Sequence, residues 1–311
     1  MKNLGYKQPG RMLKTVYREL IWAHTGARVQ LHRQAPDILH SPAGPFLTPP
    51  PGVRQVVTLL DFAILAHPER YRAWQRWSGP KRLLKAGSAD RIICISRFSA
   101  DEAMKRLGIP HGKIDVIYLG SDLKPGMISA GLIDGLRLPD EFVLFVGSLE
   151  PGKNLRLLKE TYKLAASKGI ILPTLVIMGT RWQGVPDEGP PPANWIFLGR
   201  QPDEILVHLY ARASALLFPS KYEGFGLPVL EAMGFGCPVI CSPVASIPEV
   251  GGDAVLYSPL TAEGYLDQIL RLGRERNLRE ELQAKGRERA KLFSWDRCGR
   301  ETYETYQKAL R

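Results

Sequence analysis

Ser220-Lys-Tyr-Glu223-Gly-Phe225-Gly-Leu227-Pro-Val-Leu-Glu231-Ala-Met-Gly-Phe-Gly-Cys-Pro-Val-Ile240 carries two carboxylates with seven residues between them. The apolar run before it, Ala215-Leu-Leu-Phe-Pro219, reads as a buried strand, and the stretch itself as a glycine-rich turn that opens a helix. Gly224 and Gly226 let the backbone turn closely around a ligand, and Pro228 suits the first turn of a helix. A strand, a tight turn and a helix start in that order belong to an α/β architecture. The free N–H groups of the helix start point at an anion such as a pyrophosphate. Glu223 is placed in the loop, where a carboxylate accepts hydrogen bonds from sugar hydroxyls, and Glu231 within the first helical turn, suited to a ribose diol. The bland alternative is a strand, a turn and a short helix closed by Gly234 or Gly236, with both glutamates solvated or favouring the helix dipole.

Outward from this stretch, apolar runs alternate with helical patterns, which predicts parallel sheets with crossover helices. A basic helical segment at about 11–31 precedes candidate strands Asp37–Ser41, Val56–Asp61, Arg91–Ser96 and Asp115–Gly120. After a glycine- and proline-punctuated stretch at 120–140, a second series follows: Phe142–Gly147, Thr174–Gly179, Trp195–Gly199, Ala215–Pro219, Pro238–Cys241 and Ala254–Tyr257. Val185–Pro192 reads as a loop within this second series, because the pattern resumes unchanged beyond it. At 311 residues the chain is long enough for two domains, with 44% hydrophobic and 23% charged residues.

Charge divides unevenly. Residues 1–139 hold 21 Lys and Arg against 10 Asp and Glu, and residues 140–311 hold 21 of each, so the whole formal excess of +11 lies in the first part. An acidic partner is therefore expected there alone. Its densest run, Arg70 to Lys85, interleaves six basic residues with Tyr71, Trp74 and Trp77. That mixture suits an anionic membrane surface, and equally a solvated basic helix whose tryptophans enter the core. No nucleic-acid-binding signature accompanies the charge, so no nucleic acid partner is expected. The N-terminus has no apolar leader-like segment and no apolar run reaches the length of a membrane span. A cytoplasmic protein is expected, seated peripherally on the inner face of the membrane if the Arg70–Lys85 run meets lipid. Cys94, Cys237, Cys241 and Cys298 form no C-x-x-C pair and meet no clustered histidines, which favours buried free thiols over zinc ligands or disulfides.

A second constellation opens the C-terminal half. Phe142-Val-Leu-Phe-Val-Gly147-Ser-Leu-Glu-Pro-Gly152-Lys153-Asn154-Leu155 is a buried strand running into a glycine turn, with Lys153 at the mouth of a helix at Asn154–Lys168. A lysine there is a point charge for phosphate, and a purely structural one is disfavoured because a helix start repels cations. Gly147-x-x-x-x-Gly152-Lys153-Asn154 matches a P-loop up to its last residue, so a nucleotide triphosphatase is one reading. Asn154 lacks the hydroxyl that a P-loop puts on magnesium, and no clear acidic residue ends a neighbouring apolar strand to serve that metal.

The two constellations together resemble the family-four retaining glycosyltransferases of the GT-B fold. The resemblance rests on Glu223-x7-Glu231 with the Pro-Val-Ile strand and Ser246-Ile-Pro-Glu249-Val that follow, and on Gly147-x-Leu-Glu-Pro-x-Lys153-Asn154. Asp37-Ile-Leu-His40-Ser, Val57-Thr-Leu-Leu-Asp61, Cys94-Ile-Ser-Arg-Phe-Ser99, Lys113–Asp122 and Phe293-Ser-Trp-Asp296 are similar to family segments in the same order. It implies an α/β fold of two Rossmann-like domains. Residues 1–125 would form the acceptor side, 126–292 the nucleotide-sugar side, and 293–311 a last helix crossing back to the first domain. It implies transfer of a hexose, with retention, from a nucleotide-diphosphate sugar to a sugar or lipid-linked acceptor, such as a cell-envelope polysaccharide, without metal or other cofactor. Glu223 and Lys153 take the catalytic roles by this resemblance. Gly147, Lys153, Asn154, Gly224, Phe225, Gly226, Leu227 and Glu231 hold the donor, Glu231 on its ribose, and His40 and Asp61 lie on the acceptor side. A lone strand-end histidine such as His40 is more often simply satisfied by its neighbours.

Three departures from the family pattern bear on turnover. Leu60-Asp61 stands where the family has His-Asp, removing an imidazole near the reacting sugar. The arginine that accompanies the phosphate lysine is missing, its candidate positions being Ser148 and Gly152. The chain opens on a helix rather than on the family's first strand and glycine loop, so the N-terminal domain reads as incomplete. A donor-binding or scaffold protein without turnover is the alternative that these departures keep open.

Overall fold

A computed structural model of the chain describes residues 25–44, 47–71, 73–124, 138–181 and 189–311, with residues 17, 22, 126 and 136 as isolated points. Most of the expected helical segment at 11–31, residues 125, 127–135 and 137 of the 120–140 stretch, and residues 185–188 of the Val185–Pro192 loop fall outside those residues.

The first half opens with α1 (Gly26–Gln34), then β1 (Ile38–Ser41), β2 (Arg54–Leu59), α2 (Ala63–Ala66) and α3 (Ala73–Leu84). β3 (Arg91–Cys94), α4 (Arg97–Leu107) and β4 (Ile114–Val116) complete it. Its four strands are parallel in the order β1-β2-β3-β4. The second half runs β5 (Phe142–Val146), α5 (Leu155–Ser167), β6 (Thr174–Met178), β7 (Trp195–Gly199), α6 (Asp203–Arg212) and β8 (Ala215–Phe218). It continues through α7 (Leu227–Gly234), β9 (Val239–Cys241), α8 (Ile247–Gly251), β10 (Leu256–Tyr257), α9 (Ala262–Arg274) and α10 (Arg276–Ala290). These six strands are also parallel, in the order β10-β9-β8-β5-β6-β7.

β5 shows why. In Phe-Val-Leu-Phe-Val, Phe142, Leu144 and Val146 join one apolar cluster, while Val143 and Phe145 join another on the opposite face. A strand apolar on both faces needs helices on both, which is the condition of a parallel sheet. Ile205, Leu206 and Leu209 of α6 with Val229, Leu230 and Met233 of α7 cover the first face. Leu157, Leu158 and Tyr162 of α5 with Tyr265, Leu266 and Ile269 of α9 cover the second. Each aliphatic or aromatic side chain so enclosed contributes about 1.5–3 kcal/mol.

The first sheet obtains its second cover from the far end of the chain. Val56, Ile93 and Ile117 form a cluster with Ala309 of α11 (Trp295–Leu310). Thr305 Oγ1 donates to Asp115 Oδ2 at 3.1 Å, and Lys308 Nζ to Asp115 Oδ1 at 2.6 Å. Burial works to raise the pKa of Asp115, and the hydrogen bonds from Lys308 and Arg91 outweigh it and hold the carboxyl low. Gly120 lies so close to the start of α11 that a Cβ there would be 2.3 Å from the Trp295 backbone nitrogen. That approach explains why the strand expected to reach Gly120 ends at Val116: the chain leaves the ladder to pass under α11.

The Arg70–Lys85 run does not behave as one surface. Trp77 is 69% exposed, which goes against the reading of a solvated helix with its tryptophans in the core, and Lys81 Nζ lies 3.8 Å from its ring centroid. Arg70, by contrast, turns inward. The Trp74 side chain and Arg72 fall outside the described residues. Cys94, Cys237 and Cys241 are buried free thiols and Cys298 a half-buried one.

Candidate active site

In the second sheet the chain leaves β5 toward β6 and β7 on one side and returns through β8 to β9 and β10 on the other. β5 and β8 are adjacent parallel strands, so their C-terminal ends open side by side at the point where strand order reverses. Open α/β sheets bind ligands at that switch point. Both sequence constellations sit there, the Gly147–Asn154 turn after β5 and the 219–226 loop after β8.

The first turn begins at Gly147, at φ 148, whose N–H donates to the Met178 carbonyl at 3.0 Å. Asn154 precedes α5 in the left-handed conformation, at φ 57. Between them Lys153 passes along Gly147, and its Nζ donates to Glu223 Oε1 at 2.5 Å. The two side chains are 19% and 11% exposed, so a cation and a carboxylate from different strand ends meet in a largely enclosed place. The loops are also joined by backbone, the Lys221 N–H donating to the Gly152 carbonyl at 2.8 Å. Ser246 Oγ donates to the Glu223 carbonyl at 3.0 Å and fixes that residue from a third loop.

α7 starts at Leu227, with Gly226 before it at φ 100, and Phe225 is buried in the core beside it. Glu231 is therefore the fifth helical residue rather than a member of the first turn, a correction that follows from Pro228 standing second in the helix. Its Oε2 accepts the Tyr210 hydroxyl at 2.9 Å. Burial pushes the Glu231 carboxyl above its ordinary pKa; the Tyr210 bond works the other way, and Asp203 adds to the rise. His40 meets hydroxyls at both ring nitrogens, Tyr306 at 2.7 Å and Thr58 at 2.8 Å, and burial lowers its pKa. That is the satisfied strand-end histidine rather than an imidazole open to an acceptor.

Asp61 is brought to the site. A Cβ on Gly224 would lie 2.9 Å from Asp61 Cβ and 2.2 Å from the Leu60 carbonyl oxygen, so the glycine lets the two halves touch. Asp61 Oδ1 accepts the Ala63 N–H at 2.9 Å. Leu60 is 42% exposed beside this contact and offers no polar atom from its side chain.

Sequence reasoning missed the groups that seat the loop between the halves. Ser96 Oγ donates to the Gly224 carbonyl at 2.8 Å, and the Phe62 N–H donates to the Tyr222 hydroxyl at 3.2 Å. Tyr222 also meets Phe98 and His67 edge-on, at 5.3 and 5.5 Å between centroids. Glu249 of α8 accepts the N–H groups of Arg97 and Phe98 at 2.8 and 2.6 Å, placing a carboxylate on the N-terminus of α4 from the opposite half. Arg70 forks onto Glu150, its Nε donating to Oε2 at 3.1 Å and its Nη2 to Oε1. Ser96, Ser99 and Glu249 lay in segments that resemble the family, but nothing near them in sequence named their partners.

Two facing parallel sheets with this switch-point cleft define the GT-B class of glycosyltransferase. Sucrose-phosphate synthase of Thermosynechococcus elongatus shares the fold at a TM-score of 0.70 and 19% identity, over 99% of this chain and 81% of its own. Anabaena HepE in complex with UDP and glucose does so at 0.69 and 17%, over 93% and 83%. The chain belongs to the glycosyl transferases group 1 family, whose profile matches residues 134–289, while that of Glycosyltransferase Family 4 matches residues 5–124. O-antigen chain mannosyltransferase B of Escherichia coli is 36% identical over 270 residues, covering 82% of this chain and 70% of that protein. D-inositol 3-phosphate glycosyltransferase of Nocardia farcinica is 27% identical over 266 residues, covering 80% of this chain and 58% of its own length. The chain is thus a glycosyltransferase, and the triphosphatase reading of its glycine turn falls away.

Proposed function

We propose that the chain transfers a hexosyl group, mannosyl in the first instance, from a nucleotide-diphosphate sugar to a saccharide or lipid-linked saccharide acceptor of the cell envelope, with retention and without metal. The observation that carries the reading is the Lys153–Glu223 pair at the switch point, 2.5 Å from nitrogen to oxygen. A cation and a hydrogen-bond acceptor that close fit the two ends of one hexosyl phosphate. Lys153 and the N–H groups at the start of α7 take the charge that develops on the departing phosphate, a preorganised electrostatic role. Glu223 accepts from hexose hydroxyls. Glu231, already oriented by Tyr210, accepts from the ribose. The mannosyl assignment rests on the name of the Escherichia coli O-antigen relative, and the nucleotide on the UDP bound by HepE.

Trp77, Lys81 and Leu84 recur at helical spacing on α3 and are exposed, which supports a peripheral seat on anionic lipid. Among the described residues no helix is long and apolar enough to cross a membrane.

A second reading, donor binding without transfer, is favoured by one observation, the exposed aliphatic side chain of Leu60 beside Gly224. Incubation with a panel of nucleotide-diphosphate sugars and lipid-linked saccharides in EDTA, followed by NMR of the product, separates the two. A new glycosidic bond with the donor's anomeric configuration is expected. An inverted product, or a strict need for divalent metal, would overturn the mechanism; tight donor binding with no product would select the second reading.

A further inference from the structure

Arg70 belongs to the first half of the chain, yet its side chain is 10% exposed and paired with Glu150, itself 2% exposed, on the turn that carries Lys153. Glu150 is held in turn by the Gly152 N–H, which donates to Oε2 at 2.7 Å. The fork occupies Nε and Nη2. Nη1 is buried and meets no acceptor among the described residues. A charged group that keeps an enclosed, unpaired donor is uncommon, because the lost hydration is not replaced. The guanidinium also lies directly over Gly152: a Cβ there would be 1.9 Å from Arg70 Cζ and 2.4 Å from Nη1. Residue 152 thus has no side chain of its own at the phosphate turn, and a guanidinium from the other half fills the place.

We infer that Arg70 is a donor-anion residue supplied across the cleft, its Nη1 donating to a phosphate oxygen of the nucleotide sugar next to Lys153. This rests on the donor-binding part of the function proposed above. Glu150 acts as the positioning group, fixing the plane of the fork so that both N–H groups of Nη1 remain for the ligand, the geometry that suits guanidinium to phosphate. Nη1 is covered by protein here, so ligand entry requires the halves to part. Their return then presents an acceptor to the unpaired donor. Diphosphate binding and closure are thereby one event, because the anion is shared by residues of both halves.

Calorimetry on the full chain tests this with uridine, guanosine and adenosine diphosphates and the parent nucleosides as probes. Arg70→Ala combined with Glu150→Gln removes both charges together, so that no buried carboxylate is left alone. It should weaken the diphosphate by about tenfold or more and leave the nucleoside unchanged. Arg70→Ala with Gly152→Arg, which returns a guanidinium from the adjacent position, should recover most of that loss. Arg70→Lys keeps an ion pair to Glu150 but loses the fork, and serves if the double variants unfold; it should also cost the diphosphate more than the nucleoside. Equal losses for diphosphate and nucleoside in these variants, or none, would reduce Arg70 to a strap between the halves and overturn the inference while the donor reading stands. If the unaltered chain binds none of the diphosphates, the donor reading fails first and takes the inference with it.

Discussion

At Glu231 two demands oppose each other, because the carboxylate that would hold a ribose is also one that burial penalises. Its folded pKa lies above the ordinary value. A raised carboxyl pKa means that the folded state binds the proton more tightly, so the cost of ionising it is absent below the unfolded pKa and fully present above the folded one. Glu231→Gln keeps an acceptor for Tyr210 and should raise the thermal midpoint at pH 7, with a gain that fades as pH falls toward 4.5. The same variant should bind nucleotide more weakly, by the worth of a hydrogen bond to a charged group, about 1.5–3 kcal/mol. A lower midpoint at pH 7 would show that Glu231 is held ionised by partners that outweigh its burial. Leu60 poses the complementary question of a missing group. Leu60→His should raise kcat with little change in the donor KM, by no more than the 10²–10⁴-fold typical of one general acid or base. An unchanged kcat would place the reacting sugar out of reach of this position. Lys153, Glu223 and Glu231 stood out by spacing because strand, turn and helix fix their neighbours within a few residues, but spacing left the bland reading open and only the family resemblance attached roles to them. Arg70 and Tyr210 were not, since their partners lie 80 and 21 positions away and only the folded sheets bring them together.

The ten candidate strands of the sequence pattern are the ten of the two sheets, and what failed were their ends. Candidate strands ran into Gly147, Gly179, Ser96 and Asp61, residues whose backbone instead turns to build the cleft, because hydrophobic alternation reports burial and is blind to where the ladder stops. The junction between the halves was invisible for a different reason: its contacts are single polar atoms. Glu249 on α4 is one of them, and caps of this kind are worth about 0.5–2 kcal/mol. Glu249→Ala should speed amide exchange in the first turn of α4 while leaving α9 and α10 unaffected, as read by hydrogen-exchange mass spectrometry. Uniform exchange throughout would mean the two halves unfold as one. Gly224→Ala probes the closest approach. Its Cβ cannot coexist with the Leu60 carbonyl at 2.2 Å, so the halves should be held apart, with transfer lost and nucleotide binding by the second half retained. Parallel loss of both would show that the second half needs the first even to bind.

Over the whole molecule the division of charge, plain in the sequence, acquires a direction only in the structure. The excess of +11 lies in residues 1–139, but Arg70 is spent inside the cleft and Arg91 pairs with Asp115, so the cations left for an outside partner are those on exposed faces such as α3. There Trp77 stands out with Lys81 over its ring. In the proposed membrane seat the indole lies at headgroup depth with the Lys81 ammonium beside it, the electrostatic share worth about 1 kcal/mol for each basic residue near the lipid. Co-sedimentation with vesicles should therefore rise with the fraction of anionic lipid and fall with salt, since such attractions are screened over about 10 Å at 0.1 M. Trp77→Ser combined with Lys81→Glu should release the protein from vesicles several-fold while leaving its thermal midpoint unchanged, because both side chains are exposed and support no core. Binding indifferent to lipid charge and to salt would leave the face a solvated one, and the acceptor would then have to reach the cleft from solution.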